Sequence, residues 1–208
     1  MKVNSEKTKV VLFNKSTKYD FMPKIHVNPN ENVEVVDKIK LLGVIISSDM
    51  KWHKHVSYIC KKGYANLWAL RRLKKLGASS DILLDLYQKQ VRSVMEYAVP
   101  VWGTNLTEED NVELERVQKV ALAIIFGHKS YENILSKYKI ESLHDRRITL
   151  IRKFAKKTSK STIFSSWFNK KTQVKNTRNR LKYFEVPART DRWKKSPIPH
   201  MKKLLNSL

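Results

Sequence analysis

Val56, Ile59, Cys60, Gly63, Leu67, Leu70 and Leu73 recur in steps of three and four. That spacing stacks residues on one face of an α-helix and on neither face of a strand. The rhythm returns at Leu83, Leu86, Tyr87, Gln90, Val91, Val94 and Ala98, and again at Leu114, Val117, Ala121, Leu122 and Ile125. Helices with one apolar face must bury it against another element, so most of this chain is expected to form a helical bundle. The punctuation agrees. Gly77 is a stop, "ASSD" offers an N-cap, and a break is expected near Pro100. Thr107 with Asp110 has the form of a capping box, and Gly127 closes the helix it opens. Ser142 with Asp145 repeats the signature ahead of the basic helix "LHDRRITLIRKFAKK".

Upstream the pattern is different. "TKVVLF" at residues 8–13 reads as a strand. Lys24 to Val27 and Val33 to Val36 are short apolar runs separated by "NPNEN", which is turn chemistry. Leu41 to Ile46, rich in branched residues, reads as one more strand. The expectation is an α+β fold, mostly α. A short N-terminal antiparallel β-meander (1–48) precedes a helical domain (49–160) and a basic, partly irregular tail (161–208). In the tail, basic clusters alternate with Trp167, Phe168, Tyr183, Phe184 and Trp193, and the prolines of "SPIP" favour extended chain. Removing 162–208 is expected to leave the helical signal largely intact.

Charge narrows the function. The chain has 42 Lys/Arg against 19 Asp/Glu in 208 residues, a net charge of +23. From Arg152 onward there are 17 basic residues and two acids, Glu185 and Asp191. Such a surplus points to a polyanionic partner, nucleic acid before a membrane surface. The longest apolar stretch, "VALAIIF", is too short to span a bilayer, and "MKVNSEKTK" has no apolar core of a secretory signal. An intracellular location, cytoplasm or nucleus, is expected.

Several chemistries are argued against. His53 and His55, two apart, point to different sides of a helix, and His55 to Cys60 is five apart, so neither spacing aims two ligands at one ion. With Cys60 the only cysteine, no internal disulfide can form. None of the five glycines forms a phosphate-cradling motif. The consecutive acids Glu108-Glu109-Asp110 open a helix, where they complement its dipole. No catalytic residue and no metal ligand is assigned. What remains is cationic surface: Lys51, Lys54, Lys61, Lys62, Arg71, Arg72, Lys74 and Lys75 along the first long helix and its approach, with Arg146 and Arg147 further on. Basic residues interleaved with aromatics suit phosphates with stacking partners. Trp68 and Tyr64, which lie among them, are read as core.

"NSEKTKVVLFNK", "KLLGVIISSDMKWHKHV", "VRSVMEYAVPVWG", "LERVQKVALAIIFG" and "IESLHDRR", in that order, resemble the end of the reverse transcriptases of non-LTR (LINE-type) retrotransposons. The ending "RTDRWKKSPIPHMKKLLN" is similar to the terminus of such reading frames. The resemblance implies palm-end strands, then a hairpin "LLGVII" in which Leu42, Gly43 and Val44 act as a primer grip, then a thumb. Trp52-His53-Lys54-His55 becomes a sheet-to-thumb joint. In that family the paired catalytic aspartates lie upstream of the "KT" segment, here Lys7-Thr8, so no residue of this chain inherits those roles. Fingers and most of the palm are expected to be missing, as in a truncated element copy or an incomplete gene model. Mg²⁺ is expected only in the full-length enzyme, and no cofactor in this chain. The implied partner is an RNA/DNA primer–template. The alternatives are a stand-alone, non-catalytic nucleic-acid-binding protein and a structural protein with its basic tail on anionic lipid.

Overall fold

A computed structural model describes residues 8–13, 26–28, 31–127, 129–169, 183–185, 187 and 189–207. The fold is α+β, mostly helical. The chain divides into two compact units, Met1–Tyr58 and Ile59–Leu208.

The described part of the first unit holds three two-stranded ladders. β1 (Lys9–Val10) pairs in parallel with β4 (Glu34–Val35), and β2 (His26–Asn28) pairs antiparallel with β3 (Glu31–Asn32). The parallel pair replaces the expected antiparallel meander, and only two residues of "TKVVLF" are strand. Lys24 and Ile25, part of one expected strand, lie outside the described residues. Leu41 to Ile46 is not one strand either. β5 (Lys38–Leu41) and β6 (Val44–Ser47) form a hairpin with Leu41 opposite Val44. Its two-residue loop, Leu42-Gly43, has φ of 47° and 86°. Positive φ at both positions is the turn that matches the twist of paired strands. The apolar run hid the turn because leucine occupies the place where asparagine is usual. Glycine reaches that φ freely, whereas a leucine there costs about 1 kcal/mol.

α1 (His53–Lys75) begins in the first unit and continues in the second. A Schellman motif ends it: Gly77 at φ 82°, Gly77 N–H to Lys74 O, and Ala78 N–H to Leu73 O. Ser79 caps α2 (Ser80–Leu86) by accepting from Ile82 N–H. The helix continues through a π-helical segment, Tyr87–Arg92, into α3 (Ser93–Glu96). It stops short of the expected break at Pro100. Ala98, in the left-handed region, turns the chain, and Pro100 sits in the first turn of α4 (Val99–Trp102), where its missing N–H costs nothing.

α5 (Glu108–Phe126) is the centre of the second unit. The expected capping box is formed, with Asp110 N–H donating to Thr107 Oγ1 and Thr107 N–H to Asp110 Oδ2. Leu114, Val117, Ala121, Leu122 and Ile125 are buried. Each large aliphatic side chain among them contributes about 1.5–3 kcal/mol when taken from water. Gly63 of α1 lies against Met95 and Val117, where an added Cβ would meet Sδ and Cγ1 at 3.0 Å. α6 (Tyr131–Tyr138), which no periodicity announced, packs against α5. α7 (Leu143–Thr158) is capped by Ser142, as expected, and packs on α4 and α5.

The terminal segment departs most from expectation. "SPIP" is not extended: Ser196 precedes α9 (Pro197–Asn206), with Pro197 in its first turn, after the short α8 (Asp191–Lys194). A proline in the first helical turn removes only a donor that has no helical partner anyway. Met201 and Leu205 are buried as α9 packs on α7 and α4, so removing 162–208 strips a layer from the core. Residues 170–182 of the basic tail lie outside the described residues.

Candidate nucleic-acid interface

The residues read as a primer grip separate at the hairpin tip. Leu42 is 83% exposed, Gly43 is half-buried and Val44 is buried. The tip therefore offers one apolar side chain and a backbone that no Cβ shields at Gly43. At the foot of β6, His55 is fully buried, and its Nδ1 accepts from Ile45 N–H at 3.3 Å. Burial drives its pKa down to about 4, so the imidazole is neutral and serves as an acceptor. His53, two residues earlier, is exposed. Lys51 and Lys54 are exposed in the same unit.

In the second unit, α1 turns Cys60, Gly63, Leu67 and Leu70 inward. Lys61, Ala65, Trp68, Arg72 and Lys75, spaced four, three, four and three apart, run along the opposite side, over about 21 Å of helix. Trp68 is 68% exposed in the middle of this line, so it is not core as expected; Tyr64, toward the flank, is half-buried. Lys62 and Arg71 flank the line and are exposed. Among the described residues, Lys61, Arg71, Arg72 and Lys75 have no carboxylate within ion-pair distance.

Three of the expected cations are already engaged. Lys74 Nζ donates to the carbonyls of Ile124 and Ile125 (3.1 Å for the latter), capping the negative end of α5. Arg146 Nε donates to Glu96 at 2.9 Å and its Nη1 reaches Glu141 at 3.3 Å; the bond to Glu96 raises its pKa further. Arg147 is 4% exposed and donates to Asn111 Oδ1 at 2.5 Å, which removes it from any surface. Consecutive positions on α7 point about 100° apart, and here Arg147 takes the inward one while Arg146 stays at the flank.

Four of the acids are committed to structure. Asp110 and Asp145 cap helices, Glu96 holds Arg92 and Arg146, and Glu115 accepts from Tyr131 Oη and Leu143 N–H. They offer no converging carboxylate set for a pair of divalent ions. Among the described residues, no group of three or more His, Cys, Asp or Glu could hold a metal ion. The Cys60 thiol is pushed up to about 12, first by burial and then by Glu113 and Asp110, which keeps it protonated and unreactive. No helix among the described residues is long and apolar enough to cross a membrane.

One feature of the second unit was not anticipated. Trp193, Trp167, Phe154, Pro100, Val101 and Ile198 line an apolar groove of about 560 Å³. Its tryptophans stood in the sequence among basic clusters, but reading "SPIP" as extended removed the wall that α9 supplies. Comparison with protein-family models, with curated proteins and with solved structures returns no match to this chain.

Proposed function

We propose that this chain is the palm-end and thumb portion of a non-LTR retrotransposon reverse transcriptase, and that its own activity is to grip a primer–template duplex without catalysing synthesis. The observation that carries the binding is the line Lys61, Trp68, Arg72 and Lys75 on α1, three cations without carboxylate partners among the described residues around a solvent-facing indole. A regular spacing of cations along one helix side suits a regularly spaced phosphate backbone, and such contacts are indifferent to sequence. The hairpin tip is consistent with the family reading: Gly43, half-buried, takes a positive φ in the turn, and Leu42 is exposed at a conformational cost.

The test is a salt titration of binding to a DNA–RNA hybrid with a recessed primer end and to an unrelated blunt duplex. Neutralising Lys61, Arg72 and Lys75 to Gln together is expected to lower the slope of log K against log salt by about 2–3, since each phosphate contact contributes about 0.9. An unchanged slope, with helicity intact, refutes the interface. A preference for the recessed end that Leu42→Asp abolishes supports the polymerase reading. Equal binding to both duplexes supports a plain duplex-binding protein.

A further inference from the structure

The apolar groove shares a wall with a second pocket of different chemistry. Trp193, half-exposed, lines both. On one side lie Trp167, Phe154, Pro100 and Ile198. On the other is a pocket of about 720 Å³ carrying Lys194, Lys195, Lys202, Lys203 and His200, with Glu185 and Asp191 as its acids. Both acids are engaged: Asp191 Oδ1 lies 3.4 Å from Lys194 Nζ, and Glu185 Oε1 accepts from Asn206 Nδ2 at 2.7 Å. Lys195, Lys202 and Lys203 have no carboxylate partner among the described residues. Lys202 is only 8% exposed, and it lines this pocket.

An apolar groove walled by two tryptophans, beside a pocket edged with lysines, is complementary to an aromatic ring carrying a phosphate. We infer that this pair of pockets binds an unpaired nucleotide of single-stranded RNA or DNA, with the base against Trp193 in the groove and its phosphate toward Lys195, Lys202 and Lys203. Bases of any identity stack on indole, so the site is tolerant of sequence and selective for unpaired strands, since a duplex keeps its bases stacked on one another. A proline-rich peptide would use the aromatic groove alone and would leave the lysines without a role. The site is distinct from the α1 line and does not depend on the duplex reading.

The experiment measures binding of a fluorescent twelve-nucleotide oligo(U), a twelve-nucleotide oligo(dT) and a blunt duplex at matched salt. Trp193→Ala is expected to weaken both single strands by about tenfold, the scale of one lost base–indole stack. It should leave the blunt duplex within about twofold, since a base-paired duplex leaves no base to occupy the groove. Lys195→Gln with Lys203→Gln, two exposed positions, is expected to lower the single-strand salt slope by about 1–2 and leave the duplex slope unchanged. Circular dichroism of each variant establishes that it is folded. Equal losses on all three probes, no loss on the single strands, or an unchanged single-strand slope in the double lysine variant would each overturn the assignment. Displacement of oligo(U) by a neutral proline-rich peptide, with the lysine variant unaffected, would assign the groove to peptide instead.

Discussion

Protonating His55 should dismantle the junction between β6 and α1. Its ring is fully buried between Trp52 and Tyr58, with centroids 6.3 and 6.5 Å away, and its Nδ1 holds the Ile45 N–H. Folding lowers its pKa from 6.5 to about 4 by desolvation. A group whose pKa falls on folding binds its proton more tightly when unfolded. Stability is therefore complete above pH 6.5 and is lost as pH falls toward 4. Each tenfold change in proton affinity is worth about 1.4 kcal/mol, so the full loss is about 3 kcal/mol, and about 2 kcal/mol is gone by pH 5. Urea unfolding from pH 7.5 to 4.5, compared with His55→Asn, isolates this contribution. Asparagine offers a carbonyl oxygen in place of Nδ1 and does not titrate, while every other ionisable group is common to both proteins. The wild type should lose about 2 kcal/mol more than the variant between pH 7.5 and 5. An NMR titration should place the imidazole well below pH 6. Parallel stability profiles, or a midpoint near 6.5, would refute the burial argument.

Gly63→Ala brings a methyl to 3.0 Å from Met95 and Val117 where α1 meets α3 and α5; the overpacking cost of about 1–3 kcal/mol is offset by the ~1 kcal/mol that alanine gains in mid-helix, so chemical denaturation should show a net loss of about 0–2 kcal/mol. Leu42→Asn relieves a left-handed leucine at the hairpin tip and should raise stability by about 0.5–1 kcal/mol, while weakening binding to a recessed primer end. Arg147→Met removes a buried guanidinium bonded to Asn111 and should lower stability by about 1–3 kcal/mol without changing the salt slope of duplex binding. Leu205→Ala, in the buried face of α9, should cost about 2–4 kcal/mol in thermal or urea unfolding, and no loss would mean that α9 is not part of the core.

Much of the helical part was legible locally. Ser79, Thr107 and Ser142 start helices because a short side-chain oxygen meets an orphan N–H within one turn, and Gly77 and Gly127 end them because only glycine takes positive φ cheaply. These signals need no partner from elsewhere in the chain. Trp68 was legible too. It falls off the line of Gly63, Leu67 and Leu70, and its spacing said "outside" where its aromatic character said "core". The hairpin escaped because its turn residues are apolar, and α6 because eight residues give too little period to read.

The sequence by itself determined the helical bundle, its caps and the excess of positive charge, all properties of composition and of contacts within a turn or two. Only the tertiary structure decided which cations remain for a ligand. Lys74 is used on the carbonyl end of α5, Arg146 on Glu96 and Arg147 on Asn111, partners 36 to 51 positions away in the chain. It also turned "SPIP" into a helix start, because Met201 and Leu205 gain a buried face on α7 and α4 that extended chain could not supply. Periodicity states which residues share a side. Which side is covered, and by what, depends on elements far off in sequence, and burial free energy is assigned only when they meet.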